Sequence, residues 1–491
     1  MTGLNDTQKE AIGLNFIINR LSCKSPYGKA SVRNIRFFGR TGKEQAERCF
    51  DNIDMVVGIV KKSDKTADML LDIISRFKNI EGIVKKCESG NILNEVELFE
   101  IKGFLLLLED LIDAYNCLGL LLNGIKFDSM KIALDILDPD GRRIAPFFID
   151  EKMRPALRDM RKEKERLEAA ISKSEGEDKT ELLRKRADIC ALEDDEERAA
   201  CASLSHQLRQ YIKMFYDNMD NIGKLDLLFA KALLAVEYNA MRPKIADCIS
   251  LKNMYNPFIE ENLAQKGRKM TKTSIILKQG VAIITGANMG GKSVAMVTTV
   301  LNASLCQLGF FVFSEYAEIP LFDGIYFTSG DMQDMGRGLS SFGAEIMHLK
   351  EILKHIETDF LFIALDEPAR TTNPSEGAAI VRGLAAFLAE AESISLINTH
   401  YDQVLKNNVK YYRVAGLTDD ISDRLALRNK ESLSDIGDYM DYRLIEADSG
   451  LDIARDGLNI CRIAGLDDKL MGRIEDELRV CGHTADAHLF G

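Results

Sequence analysis

The residues with the clearest chemical potential lie in a glycine-rich segment with the pattern Gly-x-x-x-x-Gly-Lys-Ser at residues 286–293. An apolar run at residues 281–285 precedes it, and a helical stretch begins at Val294. Glycines let backbone N–H groups turn inward around an anion, and the positive end of the following helix points at the same anion. This context predicts a phosphate-binding loop. Its predicted ligand-binding residues are Gly286, Asn288, Met289, Gly290, Gly291, Lys292, Ser293 and Val294.

Two side chains of this loop have distinct expected roles. Lys292 would reach the β- and γ-phosphates of a nucleotide, and Ser293 would offer its hydroxyl to Mg²⁺. A second segment, residues 360–367, is an apolar run that ends in Asp366 and Glu367. We expect Asp366 to hold Mg²⁺ through its water shell and Glu367 to polarise the attacking water. Together the segments predict a Mg²⁺-dependent ATPase that converts ATP to ADP and phosphate.

A histidine marks the end of a third apolar run. His400 follows residues 394–399. A histidine at the carboxyl end of a strand can sense a γ-phosphate, whereas a lone histidine is more often structural. The neighbouring motifs favour a functional role here. The predicted catalytic residues are therefore Lys292, Glu367 and His400.

The elements that must position these residues change in character along the chain. From about residue 250, short β-like runs alternate with helical segments, which predicts an α/β domain with a largely parallel sheet. The runs lie at residues 274–277, 281–285, 310–313, 325–328, 360–365 and 394–398. The first half has few prolines and apolar residues at three- and four-residue spacing, which predicts helices. We predict a helical core at 1–140, a charged helical hairpin at 141–204, a lever helix returning to the core at 205–250, and the ATPase domain with carboxyl-terminal dimerisation helices at 251–491.

Composition and the distribution of apolar and charged residues limit the expected cellular location and binding partners of the protein. The apolar stretch 104–122 is interrupted by acidic residues, which favours a buried helix over a membrane span. The amino terminus lacks a secretion signal, and the ten cysteines are scattered singly, so we expect a cytoplasmic protein without membrane contact. The net charge of -12 argues against a DNA-coating protein but leaves room for a local basic groove.

The charged hairpin has two open interpretations. It carries cations that could touch phosphates, but interspersed glutamates dilute their charge, so a solvated helix pair without a ligand is the alternative. The cations are Arg154, Arg158, Arg161, Lys162 and Arg166.

Several segments together resemble the MutS family within the ABC-type ATPases. Residues 285–293 are similar to the family's TGPNMGGKS, with Ala287 in place of proline. Residues 366–372 resemble DEIGRGT, and residues 398–401 resemble ATHY. Residues 338–346 resemble GRSTFMVEM, and residues 457–466 resemble the closing segment of the family. The resemblance implies an ABC-type P-loop fold for the carboxyl-terminal half.

The resemblance also implies roles that the local pattern does not show. Phe258 lies in a segment similar to one whose aromatic residue stacks on adenine. Ser340 would approach the γ-phosphate bound by the opposite subunit, because these ATPases form dimers. The implied partners are a second copy or a related subunit, and DNA. This chain departs from the family at Leu339, where the family has arginine, and at Pro368-Ala369, which replace a glycine-containing turn.

Two hypotheses of different classes account for these features: a DNA-binding ATPase and an ATPase that acts on a protein partner. The leading hypothesis is a dimeric MutS-like ATPase that binds DNA under the control of ATP, in mismatch repair or recombination or on unusual DNA structures. We expect it to lack the mismatch-recognition domain, because both Phe-x-Glu triplets, at residues 258–260 and 313–315, lie in the ATPase half. The alternative is an ATP-driven remodelling or reactivating factor for a protein partner, such as a cobalamin-dependent aminomutase. A chromosome-maintenance ATPase ranks last, because the hairpin is short.

Overall fold

The structure is a computed structural model. It describes residues 3–62, 65–144, 147–149, 154–286, 291–329, 341–401, 404, 409–416, 441–447, 461, 466–467 and 469–477. The helices are α1 (Asp6–Ala11), α2 (Leu14–Asn19), α3 (Pro26–Arg33), α4 (Lys43–Lys61), α5 (Lys65–Arg76), α6 (Glu81–Glu88), α7 (Glu95–Cys117), α8 (Lys131–Leu137), α9 (Ala156–Ile171), α10 (Gly176–Leu208), α11 (Ile212–Glu237), α12 (Pro257–Ala264), α13 (Lys292–Gln307), α14 (Ser341–Leu353) and α15 (Pro374–Glu390). The strands are β1 (Lys244–Ile245), β2 (Ile249–Met254), β3 (Thr273–Leu277), β4 (Gly280–Thr285), β5 (Tyr316–Ile319), β6 (Gly324–Ser329), β7 (Leu361–Asp366), β8 (Ile394–Asn398), β9 (Lys410–Gly416) and β10 (Asp441–Ala447).

The chain divides into two units. One contains Met1–Arg20, Arg36–Phe50 and Leu234–Gly491, and we call it the sheet unit. The other contains Leu21–Ile35 and Asp51–Leu233, and we call it the helical unit. This division differs from the boundaries predicted above, which place all of residues 1–140 in the helical core.

Helices alone form the described part of the helical unit. Helix α7 carries a long buried stripe, whose inward residues recur every three or four positions, as an amphipathic helix requires. Asn94 caps this helix: its side chain accepts from the Glu97 N–H at 2.9 Å, and the Glu97 carboxylate accepts from the Asn94 N–H at 2.8 Å. This reciprocal cap satisfies two backbone donors that would otherwise lack partners. The buried residues of the stripe are Leu98, Ile101, Phe104, Leu105, Leu108, Leu111 and Ala114.

Helices α9 and α10 lie antiparallel to each other. Ion pairs show this directly, since Arg161 pairs with Glu193 and Glu168 pairs with Arg186, so position rises on one helix as it falls on the other. The two helices occupy the segment in which the sequence predicts a charged hairpin.

The sheet unit contains the expected α/β arrangement. In the described residues, the main sheet has six strands in the order β10-β9-β4-β8-β7-β6, and all neighbours are parallel except β10 and β9. A smaller mixed sheet has the order β1-β5-β2-β3. The run at residues 310–313 is buried but is not a strand, because its pairing is limited to one bridge between Met241 and Val312.

Buried helices hold the main sheet from its faces. The inner side of α15, including Val381, Leu384 and Leu388, packs in one cluster with Ile283 of β4 and Ile363 of β7. Helix α13 is buried along nearly its whole length and contacts β7, β8 and the smaller sheet. Strands buried on both faces read as continuous apolar runs, which is why the sequence pattern revealed them.

The amino-terminal segments belong to the sheet unit because their polar groups bond to it. The Asn256 side-chain amide donates to the Ile12 carbonyl at 3.0 Å. The Phe38 N–H donates to the Gln307 carbonyl at 2.7 Å. Such contacts join residues more than two hundred positions apart, so local sequence patterns do not predict them.

Among the helices that the structure describes, we find none with both the length and the apolar character needed to cross a bilayer.

Candidate nucleotide-binding site

Three neighbouring strands bring the predicted chemical residues to one edge of the main sheet. Strand β8 lies between β4 and β7, and Asn398 is in register with both Ile284 and Asp366. Because the strands are parallel, the segments that follow them emerge at the same edge. The described ends of the glycine-rich segment, the acidic pair and His400 therefore lie at that edge.

The two ends of the phosphate loop have the backbone geometry that glycine allows. Gly286 has φ +128° and Gly291 has φ +82°, and Gly291 immediately precedes α13. A side chain at Gly291 would also collide with Tyr442 of β10, since its Cβ would lie 2.9 Å from the ring. Three predicted phosphate ligands, Asn288, Met289 and Gly290, lie outside the described residues.

Lys292 is a buried cation at the start of α13. Its side chain is 3% exposed, and its Nζ donates to the Gly286 carbonyl at 2.5 Å. Burial lowers the pKa of Lys292, while the carboxylates of Glu367 and Asp366 act in the opposite direction. The Nζ lies 3.9 Å from Glu367 Oε1. A buried ammonium group beside a glycine-lined loop is suited to an anionic ligand.

Ser293 and Asp366 form a pair of oxygen donors. The Ser293 side chain hydrogen-bonds Asp366, and the Asn398 amide donates to Asp366 Oδ1 at 2.9 Å. Burial raises the pKa of Asp366, and these two hydrogen bonds oppose the shift. A hydroxyl beside a carboxylate is the donor set that Mg²⁺ prefers, so the residues fit a magnesium ion. Val294 follows in the first turn of α13.

Glu367 lies in a turn with unusual backbone angles. Glu367 has φ +50° and Ala369 has φ +61°, a region that costs a residue other than glycine about 1–2 kcal/mol. The Glu367 N–H donates to the Asn398 carbonyl at 3.0 Å, and the Ala369 N–H donates to Glu345 Oε1 at 2.8 Å. Arg370 Nη1 lies 3.5 Å from Glu367 Oε2. The turn thus holds the Glu367 carboxylate between Lys292 and Arg370.

His400 is exposed just beyond β8. The preceding residue, Thr399, donates its N–H to the Ile284 carbonyl at 3.0 Å, which ties this segment to the strand before the phosphate loop. The His400 ring lies 4.3 Å from the Tyr401 ring. An exposed imidazole at this edge is available to a ligand, and its γ-phosphate role remains a prediction.

Two further predicted ligand residues lie away from these strand ends in sequence. Phe258 is half-buried on α12, and its ring is 5.6 Å from the Phe16 ring. Gly13 comes close to it, since a Cβ there would lie 2.8 Å from Phe258 Cβ. The adenine-stacking role of Phe258 stays a prediction. Ser340 lies outside the described residues.

Three contributors to the site were not given roles from the sequence. They are Asn398, Glu345 and Arg370, which bond to Asp366, the Ala369 N–H and Glu367 respectively. Asn398 had a local signal, because it is a polar residue closing an apolar run. Glu345 matches the glutamate of the family segment GRSTFMVEM, but its contact with the turn depends on how α14 packs.

The carboxyl-terminal half of the chain is similar in sequence to known proteins. Residues 282–478 match the family model described as MutS domain V. The chain is 32% identical over 217 residues to the endonuclease MutS2 of Caldicellulosiruptor bescii, covering 43% of this chain and 27% of that protein. It is 34% identical over 180 residues to the DNA mismatch repair protein MutS of Thermus aquaticus, covering 37% of this chain and 22% of that protein. The MutS2 of Fusobacterium nucleatum is 34% identical over 190 residues, with 38% and 24% covered. The matches span about a quarter of the length of these relatives.

Proposed function

We propose that this chain, whose residues 282–478 match the MutS domain V family model, is a magnesium-dependent ATPase that converts ATP to ADP and phosphate. One observation carries the proposal. The buried Lys292, the bonded pair of Ser293 and Asp366, and Glu367 converge at the edge of one parallel sheet. These are the positions at which a P-loop ATPase needs a phosphate ligand, metal ligands and a base.

Each residue has one task in the proposed reaction. Lys292 binds the β- and γ-phosphates, and Ser293 and Asp366 hold Mg²⁺. The ion, when bound, offsets the charge that develops on the phosphate oxygens. Glu367 orients the attacking water and accepts its proton as the water oxygen bonds to phosphorus and the bond to ADP breaks. His400 senses the γ-phosphate, and Phe258 stacks on adenine.

We further propose that the ATPase works as a dimer on DNA. Support comes from two relatives, the endonuclease MutS2 and the DNA mismatch repair protein MutS. In a MutS-type dimer, Ser340 of one copy would complete the site of the other. The second copy is either identical or a related subunit.

The hairpin is not where we place the DNA, because several of its cations are paired. Arg154 pairs with Glu196 at 2.5 Å, and Arg161 pairs with both Glu193 and Glu197. Paired cations offer little net charge to a phosphate backbone.

ATP hydrolysis by the full chain, measured at low salt with no DNA, duplex, mismatched and branched DNA, tests both proposals. We expect basal hydrolysis that Lys292→Ala abolishes and Lys354→Ala preserves, since Lys354 is exposed and its ion pair within the described residues is a local one with Glu351. We also expect stimulation by at least one DNA. Absence of basal hydrolysis would overturn the ATPase. Hydrolysis without DNA binding or stimulation would overturn only the proposal that DNA is a partner. A negative result at low salt is decisive, because phosphate contacts are strongest there.

The paired hairpin cations and the net charge of -12 favour a second candidate, an ATP-driven remodelling factor for a protein such as a cobalamin-dependent aminomutase. A purified aminomutase inactivated by turnover is the test substrate. Recovery of its activity that requires ATP and is lost in Glu367→Gln would support this function. Equal recovery without the chain would exclude it.

A further inference from the structure

The turn after β7 contains strained backbone. Two of its residues, Glu367 and Ala369, adopt left-handed angles although neither is glycine. Such angles persist only where surrounding groups hold them. Two hydrogen bonds do so: Glu367 N–H to the Asn398 carbonyl, and Ala369 N–H to Glu345 Oε1.

The acceptor of the second bond, Glu345, lies on the face of α14 that packs against apolar residues. Phe342 and Leu349 of this helix pack against the apolar cluster that includes Ala369. Glu345 lies three residues after Phe342 and four before Leu349, so it shares their inward face. Packing against this cluster would by itself favour an apolar residue at this position. Instead, a carboxylate points at a backbone N–H of the turn.

The Ala369 N–H depends on that carboxylate. Ala369 is 2% exposed, so water is a poor substitute for the lost acceptor. Burial raises the pKa of Glu345, and the bond from Ala369 opposes the shift. A side-chain oxygen accepts this bond whether or not the group is charged, so an amide in its place should serve.

We propose that Glu345 is a positioning residue that fixes the turn 366–370 and thereby aims the Glu367 carboxylate at the attacking water. The inference rests on the proposed ATPase function and extends it to a residue that touches neither nucleotide nor metal. Glu367 is two residues from the anchored N–H, so a small shift of the turn moves its carboxylate out of line. Misplacement of a catalytic group by about 1 Å can cost on the order of 100-fold in rate.

A matched pair of substitutions separates this role from mere packing. Glu345→Gln keeps an acceptor oxygen, whereas Glu345→Leu keeps the size, suits the apolar face and removes the acceptor. Glu351→Leu is the control, since Glu351 is exposed on the same helix and bonds only to Lys354 among the described residues. The full chain of each variant is measured for kcat, for nucleotide affinity at equilibrium, and for amide hydrogen exchange in residues 366–371.

We expect Glu345→Leu to lower kcat by about 10- to 100-fold while nucleotide affinity changes by less than about twofold, because α13 and its loop hold the nucleotide. Exchange at residues 366–371 should accelerate. Glu345→Gln should restore most of kcat and of the protection, and Glu351→Leu should match the parent in all three measurements.

Three results would overturn the proposal. These are an unchanged kcat in Glu345→Leu, equal losses in the Gln and Leu variants, and a fall in kcat matched by a fall in nucleotide affinity. If the parent does not hydrolyse ATP, the proposed function fails instead. Exchange then decides whether Glu345 anchors the turn, and unchanged protection in Glu345→Leu would exclude the anchor as well.

Discussion

Asp366 is a buried carboxyl group whose ionisation depends on its neighbours. Burial favours its neutral form, and the Asn398 amide is one of two hydrogen-bonding groups that favour the charged form. A magnesium ligand must be ionised. The ionisation of Asp366 therefore depends in part on an amide of the adjacent strand.

Asn398→Leu should move the acid limb of the Mg²⁺-dependent rate to higher pH. Loss of the amide raises the pKa of Asp366 further, so a higher pH is needed to ionise it. The pH profile of kcat/KM at fixed Mg²⁺ measures the shift. Ser395→Ala is the control, because the Ser395 hydroxyl on the same strand is buried without a hydrogen-bond partner among the described residues. Superimposed profiles for Asn398→Leu and the parent would contradict the role.

The same raised pKa has a consequence for stability in the absence of metal. The folded state holds the Asp366 proton more tightly than the unfolded state does. The contribution of this group therefore favours folding below its unfolded pKa and is lost as pH rises through the folded pKa. Mg²⁺ should reverse that loss.

Glu367→Gln should bind ATP but hydrolyse it about 10²- to 10⁴-fold more slowly, the range that a general base contributes. The amide retains the size of the side chain but cannot accept the proton. Single-turnover hydrolysis and equilibrium nucleotide binding separate the two effects. Glu376→Gln, at the exposed start of α15, should behave like the parent. Parental turnover in Glu367→Gln would assign the base elsewhere.

At the scale of elements, ion pairs join α9 to α10, because few apolar residues are buried between these helices. Glu193 is buried, and it accepts from Arg161 at 3.1 Å and from Lys164. Burial acts to raise the pKa of Glu193, but the bonds from Lys164 and Arg161 outweigh it, and the pKa is lowered. The stabilisation is therefore present above the unfolded pKa and is lost as pH falls through the folded pKa.

Glu193→Gln should reduce the free energy of unfolding of the helical unit by about 1–3 kcal/mol at neutral pH, because the two cations lose a charged acceptor. The loss should diminish in acid, where the parent also loses the charge. Denaturant unfolding followed by circular dichroism measures it. Glu181→Gln breaks an exposed pair with Lys185 on the same helix, and because solvent screens that pair the variant should be about as stable as the parent. Equal effects of the two variants would mean that burial of the pair is unimportant.

The junction between the phosphate loop and α13 requires a glycine. Gly291→Ala should weaken nucleotide binding and cost about 1–2 kcal/mol of stability, since φ is +82° and Tyr442 occupies the space of a Cβ. Gly383→Ala in α15 meets nothing within 4 Å, so it should be neutral or add up to about 1 kcal/mol. Nucleotide titration and thermal unfolding of both variants test the contrast. A Gly291→Ala variant with parental affinity would show that the loop adapts.

At the scale of the whole molecule, the proposed nucleotide site lies in the sheet unit, which has its own buried core. A ligand that binds only the folded state stabilises it by mass action. At a concentration 100 times Kd, Mg²⁺ and ATP should stabilise the sheet unit of Glu367→Gln by about 2.7 kcal/mol. Calorimetry measures the shift, and Lys292→Ala added to that variant should abolish it. A melting profile of Glu367→Gln that saturating nucleotide leaves unchanged would contradict binding at this site.

The sequence by itself determined the glycine-rich segment, the acidic pair and the resemblance to MutS. The domain V match confirms the resemblance. These are local signals, because each motif occupies consecutive residues after one apolar strand. Tertiary structure decided which groups surround them. Asn398 reaches Asp366 because β8 lies beside β7, and Glu345 reaches Ala369 because α14 packs its inward face there. The assignment of the amino-terminal segments to the sheet unit arises in the same way. Strand order and helix packing depend on contacts between distant residues, and no local pattern contains them.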